Sequence, residues 1–196
     1  MEAGPGNGAR IGREYRVGAS RIAVFDGLLQ DAAHYQDALA LAAFKRTEVA
    51  RPDTVGYKHW ASEIGLEALR RQPIMQLTSQ ALAAFDPSRA GHVPHRAYTN
   101  VAGYGDVLFT HADCLPGQRD ITALWFICSE WDIEWGGETV FFDGDGEIAC
   151  AVRPRPGRLV LFDGDILHAG RPPSRICFHP RYTLAIKLVQ PGMQST

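Results

Sequence analysis

Apolar residues keep different periods in the two halves of this 196-residue chain, and the change falls near Arg96. Between Ile11 and Phe25 apolar and polar positions alternate loosely, which predicts one or two strands. Leu28, Ala32, Tyr35, Leu39 and Ala42 then recur at three- and four-residue spacing. That period predicts an amphipathic helix from Asp31 to about Lys45, with Asp31 as its N-cap. A second helix is expected from Ile74 to Phe85, stopping before Asp86-Pro87. The stretches RPDTVGYKHW and DPSRAGHVPHR read as loops from their Pro, Asp and Gly content. Beyond Arg96, short apolar and β-branched runs alternate with Gly, Asp and Pro clusters: AYTNVAGY, VLFTH, ITALWFIC, TVFFD, IACAV, RLVLF and YTLAIKLV. Several short strands at such spacing mark an all-β sandwich or barrel. The expected fold class is mainly β with N-terminal helices, in one domain over residues 1–196. A helical layer would span about 26–90 and a β core about 96–190. Residues 1–10, small and Gly-rich, are expected to be disordered.

Composition narrows the class. A hydrophobic content of 45% suffices for a single core at this length. A formal net charge of -2 gives no reason to expect a nucleic-acid or anionic-membrane partner. No apolar run is long enough to span a bilayer, and MEAGPGNGAR lacks the apolar stretch of a secretory signal. The expected location is therefore cytoplasmic. Cys114, Cys128, Cys150 and Cys177 would permit two disulfides, but a reducing compartment favours free thiols.

The candidate chemistry lies in the β half. VLFTHAD places a strand before His111, and residues i and i+2 of an extended chain point to one side. His111 and Asp113 can thus reach one ion together, with Ala112 facing away. The third ligand must come from a distant strand, and His168, after RLVLF and a DGD turn, suits that role. Two imidazoles and one carboxylate hold Fe(II) on one face and leave the opposite face open, as an oxygen-activating enzyme requires.

Residues from about Tyr98 to Leu188 resemble the Fe(II)- and 2-oxoglutarate-dependent dioxygenases, in particular the prolyl 4-hydroxylase-like branch. The marks are HAD at 111–113, ITALWFIC, WGGETVFF at 135–142, VRPRPGRLVLFDGDILHAG, and RYTLAIKL at 181–188, in the family's order. The resemblance implies a double-stranded β-helix, a jelly-roll-like barrel. It implies Fe(II) on His111, Asp113 and His168, with 2-oxoglutarate and O2 as co-substrates. Related halogenases replace the aspartate by a small residue, so Asp113 favours hydroxylation.

The far carboxylate of 2-oxoglutarate needs a fixed cation once it is buried. Arg181 is the candidate, because its planar fork pairs with both oxygens. Thr183 follows two residues later on the same face, a basic-then-hydroxyl pattern common in the family. Arg181 lies 13 residues after His168, farther than is common there. The longer loop RPPSRICFHP makes Arg171 and Arg175 rivals or substrate contacts, and Lys187 is a further basic residue on the last strand. Tyr98, Asn100 and Tyr104 lie where the family often has a co-substrate tyrosine, and Tyr98 and Asn100 share a face if the strand is regular.

Other residues take structural readings. Gly136-Gly137 form a turn after a strand, with Trp125, Trp131 and Trp135 around it. Asp143, Asp145, Asp163 and Asp165 are turn residues. His92, His95 and His179 are loop histidines, and His59 belongs to a loop that folds over the site. The expected substrate is a small molecule, a free amino acid or a biosynthetic intermediate. A peptidyl proline or another protein residue is the close alternative. A non-catalytic metal- or sugar-binding jelly roll is the alternative from another class.

Overall fold

The computed structural model describes residues 9–192. Eleven strands and three helices occur among them. In chain order they are β1 (Arg13–Val17), β2 (Ser20–Phe25), α1 (Ala32–Ala40), β3 (Lys45–Glu48), β4 (His59–Glu63), α2 (Leu66–Arg70), α3 (Pro73–Phe85) and β5 (Val93–Ala102). There follow β6 (Ile121–Ile127), β7 (Thr139–Phe142), β8 (Ile148–Val152), β9 (Leu159–Asp163), β10 (His168–Gly170) and β11 (Arg181–Val189). Eight strands form a major sheet in the order β1-β2-β9-β6-β11-β5-β4-β3, and three form a minor sheet in the order β10-β7-β8. Every pairing is antiparallel.

The central strands read as continuous apolar runs because both faces of the major sheet are covered. Along β6, Ile121, Ala123, Trp125 and Ile127 belong to a core shared with the helices, beside Ile74, Leu82 and Phe85 of α3. Leu124 and Phe126 point the other way, into a second core with Phe141 of the minor sheet and Val160 and Phe162 of β9. On β11, Tyr182, Leu184, Ile186 and Leu188 face the helices. The alternate positions Arg181, Thr183, Ala185 and Lys187 face the cavity between the sheets. This is a jelly-roll arrangement with its chemistry on the concave side.

Several expectations are corrected. The helix expected to reach Lys45 ends at Ala40, since Lys45–Glu48 pairs with β4 and cross-strand bonding outcompetes helix propagation. Asp31 takes the N-cap position without a side-chain cap bond. The expected helical layer thus contributes two sheet strands, β4 and the edge strand β3, and a short helix, α2, that periodicity did not reveal. RPDTVGYKHW holds a 3-10 turn at Pro52–Thr54 and the start of β4, so His59 is a strand residue. DPSRAGHVPHR holds another 3-10 turn and the start of β5, so His95 is a strand residue as well. VLFTH is not a strand: residues 107–110 have no regular structure, and His111 makes only an isolated bridge to His168. Gly136-Gly137 follow a 3-10 turn (Ile133–Trp135), not a strand. Trp131 and Trp135 meet edge to face, whereas Trp125 lies in the helix-side core. Asp163 is more than a turn residue, for it pairs with Arg89 and accepts from the Arg21 amide. The second helix begins one residue early, at Pro73, whose ring suits a first helical turn. Most of residues 1–10 lie outside the described residues.

All four cysteines are free. No helix among the described residues is long and apolar enough to cross a membrane.

Candidate metal and co-substrate site

His111 and His168 face each other as an antiparallel hydrogen-bonded pair. The His111 amide donates to the His168 carbonyl at 3.0 Å, and the His168 amide donates back at 2.9 Å. Two residues on, the Asp113 amide donates to the Gly164 carbonyl at 2.7 Å, and the Cys114 amide donates to the same oxygen. A Cβ on Gly164 would meet the Cys114 sulfur at 2.9 Å, so the approach of these two segments needs a glycine there. Backbone pairing across two segments, not a continuous strand, brings the three side chains together.

Each imidazole is held in one tautomer. His111 Nδ1 lies 2.9 Å from the Phe109 carbonyl, and His168 Nδ1 lies 2.9 Å from the Ile166 carbonyl. A carbonyl can only accept, so both Nδ1 atoms carry the proton and both Nε2 atoms present a lone pair. Burial pushes the His168 imidazole down to about 4, which keeps it neutral and able to ligate. Asp113 Oδ1 stands 3.5 Å from His111 Nε2, and Oδ2 stands 3.7 Å from His168 Nε2. One donor atom from each residue lies within 4.8 Å of the others, a spacing that one ion can bridge. Burial opposes the charge on Asp113, but the Lys187 ammonium beside it holds its carboxyl well below the usual range. Two neutral nitrogens and one carboxylate oxygen, with open space in front, suit a first-row divalent cation.

The cavity before the triad is about 250 Å³ and is lined by both sheets. Arg181 stands at one end. It is buried, its Nε donates to the Gly137 carbonyl at 2.6 Å, and its Nη2 donates to Thr139 Oγ1 at 2.9 Å. No carboxylate among the described residues lies within ion-pair distance of it. Burial pushes its guanidinium down to about 10, so it remains charged at neutral pH. Gly170, two residues after His168, lies so close that a Cβ there would sit 3.4 Å from Arg181 Nη1. Gly137 has φ +79°, and a Cβ on it would meet Trp131 at 2.9 Å and Arg181 at 3.3 Å. The glycine of WGGE therefore makes room for the guanidinium and supplies the carbonyl that holds it.

Thr183 is buried on the same face, directly opposite Asn100 of β5. Asn100 Oδ1 is a buried atom without a hydrogen-bond partner, which marks a place for a ligand donor or for an amide turned to donate. Tyr98 is buried one inward position farther along, with Arg96 and Lys187 over its ring. Tyr98 and Asn100 thus share the inward face, while Tyr104 is largely exposed. Arg171 and Arg175 are exposed outside the cavity, so neither rivals Arg181 as a buried cation.

Other lining residues carried no motif. Lys187 reaches Asp113 Oδ2 and Thr122 Oγ1, and Thr122 donates to the same Oδ2 at 2.5 Å. At the mouth, Arg96 bridges Glu48 and Glu63. His59 and His95 also line the cavity, and burial pushes both imidazoles toward the neutral form. His92 and His179 lie outside it. Lys187 could have been found from the sequence: positions 181, 183, 185 and 187 share one face of a strand, so a strand anchored on Arg181 carries Lys187 inward too.

Residues 97–186 match the family described as the 2OG-Fe(II) oxygenase superfamily. No curated protein matches the chain. Among solved structures, the fold is similar to a prolyl hydroxylase from Trichoplax adhaerens in complex with a hypoxia inducible factor peptide fragment. Identity there is 15%, coverage 86% of this chain and 83% of that one, and the TM-score 0.61. It is similar to a Pseudomonas putida prolyl-4-hydroxylase at 18% identity, 87% and 93% coverage, and a TM-score of 0.59. HygX from Streptomyces hygroscopicus, with nickel and 2-oxoglutarate bound, is similar at 11% identity, 89% and 84% coverage, and a TM-score of 0.63. At these identities the likeness is one of fold.

Proposed function

We propose that this chain, whose residues 97–186 belong to the 2OG-Fe(II) oxygenase superfamily, hydroxylates an unactivated C–H bond of a small polar molecule, a free amino acid or a related biosynthetic intermediate. One observation carries the reading: two histidine Nε2 atoms and a carboxylate converge in the same cavity as a buried guanidinium that, among the described residues, has no carboxylate within ion-pair distance. His111, Asp113 and His168 would hold ferrous iron, and Arg181 would pair with the far carboxylate of 2-oxoglutarate. When bound, the iron with its co-substrates supplies the oxidising chemistry that turns C–H into C–OH and releases succinate and CO2.

The chain's own residues bind, orient and exclude water. The Phe109 and Ile166 carbonyls fix the imidazole tautomers. The Gly137 carbonyl and the Thr139 hydroxyl hold the Arg181 fork, so little rotamer freedom is lost when an anion arrives. Phe162 and Leu124 close the cavity wall and keep bulk water from the reacting carbon.

A small polar substrate is supported by the size and lining of the cavity. About 250 Å³ must take both the co-substrate and the target group, and its mouth carries Glu48, Arg96, His59 and His95 rather than an apolar slot. The test is succinate formation with Fe(II), O2 and 2-oxoglutarate, screened over free amino acids and proline-containing peptides. A free amino acid should stimulate succinate release and gain one oxygen atom. Stimulation by peptides alone would replace the small-molecule reading with a peptidyl one.

A further inference from the structure

The inward face of β11 carries two cations, the buried Arg181 and the mostly buried Lys187, whose side chain is 12% exposed, six residues apart and so roughly 20 Å apart along the strand. They flank the triad from opposite sides. Arg181 lies against Gly170, just past His168, and Lys187 touches Asp113. Only one of them is matched by the far carboxylate of the co-substrate. The ionic partners of Lys187 decide what the other is for.

Asp113 is the carboxylate beside Lys187, but it is also the anionic member of the metal cluster. The remaining atoms near the ammonium, the Thr122 hydroxyl and the Tyr98 ring, are neutral. Arg96, next along the cavity wall, is already held by Glu48 and Glu63. Consider the site with ferrous iron and 2-oxoglutarate in place. The two charges of the metal are balanced by Asp113 and by the near carboxylate of the co-substrate, and its far carboxylate balances Arg181. Among the groups around the metal, the charge on Lys187 is the one left over, because Glu48 on the same cavity wall is committed to Arg96 and Glu63 is largely exposed to solvent, and an unmatched charge away from water is costly.

We infer that Lys187 is a substrate-binding residue that seats a carboxylate of the primary substrate, so that the hydroxylated carbon belongs to a small carboxylic acid held beside the metal. This rests on the oxygenase reading and narrows its substrate to acids. The acid group would bind at the Asp113 side of the triad, opposite Arg181, which separates the two carboxylate subsites by the metal itself. A lysine suits this role because its ammonium can turn one donor toward a ligand while others stay on Thr122 and Asp113.

The test uses the whole chain loaded with Co(II) and 2-oxoglutarate under argon, so that binding is read without turnover. Binding of common L-amino acids and of the corresponding carboxamides is measured by calorimetry and by the visible Co(II) spectrum. At least one acid should bind and perturb the spectrum, with its amide weaker by about 10- to 100-fold, the worth of one charge-assisted hydrogen bond. Lys187→Met should bring acid and amide to similar affinity, and Lys187→Arg should keep the preference. Should Lys187→Met not fold, the acid-to-amide ratio of the native chain decides alone. A lysine that merely steadies Asp113 would, when replaced, weaken acid and amide alike and leave their ratio unchanged. That result overturns the inference, as does an amide that binds the native chain as tightly as its acid, or a panel from which nothing binds. Failure of 2-oxoglutarate itself to bind the Co(II) protein would instead remove the oxygenase reading beneath it.

Discussion

Arg181 shows how one residue concentrates the electrostatics of this site. It is buried, held by the Gly137 carbonyl and the Thr139 hydroxyl, and has no carboxylate partner among the described residues. Arg181→Ala should weaken 2-oxoglutarate binding by about 30-fold or more, read by titration of the metal-loaded protein. An unchanged affinity would remove Arg181 from the site. Gly137 gives a backbone test of the same contact. Gly137→Ala places a Cβ at φ +79° against Trp131 and Arg181, and should cost on the order of 1–3 kcal/mol in urea unfolding. It should also weaken 2-oxoglutarate binding, because the carbonyl that holds the guanidinium must shift. At this scale His111, Asp113 and His168 were legible from the strand-like run before HAD and from the family's motif order, and Arg181 from the family's basic-then-hydroxyl pattern, and the four meet in one cavity. Lys187 was noted only as a further basic residue on the last strand, and Thr122 and Thr139 did not stand out. A lysine and two threonines on strands have ordinary solvent-facing or core uses, and only the neighbouring strand reveals what they touch.

The elements position the site through contacts on the side away from it. Trp125 of β6 is fully buried against α3, and its Nε1 donates to Thr78 Oγ1 at 3.0 Å. Thr78 in turn donates to the Ile74 carbonyl within the helix. The same strand turns Thr122 and Leu124 into the cavity, so α3 supports the floor of the site from behind. Trp125→Phe should cost about 1–3 kcal/mol, from the lost bond and the space left, with little change in metal affinity. Denaturant midpoints and a metal titration would separate the two effects. The strand β5 was read only from Ala97 onward, because VPHR has the composition of a loop, whereas β6, β9 and β11 were legible because apolar runs between turn signals have few other uses. VLFTH misled for the same reason. It has strand composition, but it follows the turn at Gly103–Asp106 and finds no partner until His111 meets His168. The strand β4 and the edge strand β3 were invisible because their residues, HWASE and KRTE, are mostly polar and acquire strand geometry only by pairing, β4 with β5 and β3 with β4.

Across the whole molecule, an ionic cluster ties the helical side to the sheet. Arg89, in the 3-10 turn after α3, pairs with Asp86 and with Asp163 at the end of β9. Burial opposes the charge on Asp86, but bonds from Ser88 and Arg89 outweigh it and hold its carboxyl down to about 2. An unfolded aspartate titrates near 4, so this stabilisation is complete above about pH 4 and fades as pH falls toward 2. Asp86→Asn should cost about 1–2 kcal/mol at pH 7, allowing for solvent screening. The gap between variant and native chain should narrow between pH 4 and 2, as urea unfolding at several pH values would show. A gap that stays constant across that range would mean the charge on Asp86 is not what matters. The tie to the sheet was not readable beforehand, because Asp86, Ser88 and Arg89 are neighbours whereas Asp163 lies 74 residues from Arg89 and meets it only when α3 packs on the sheet.

On the proposed reading, His111, Asp113 and His168 bind one ferrous ion that engages 2-oxoglutarate. The most direct test is anaerobic titration with Fe(II) in the presence of 2-oxoglutarate, followed by admission of O2 and measurement of succinate, in the native chain and in His111→Ala. The native chain should bind one equivalent of iron and release succinate, and His111→Ala should release none. Succinate released at the native rate by the variant, or none from the iron-loaded native chain, would contradict the account.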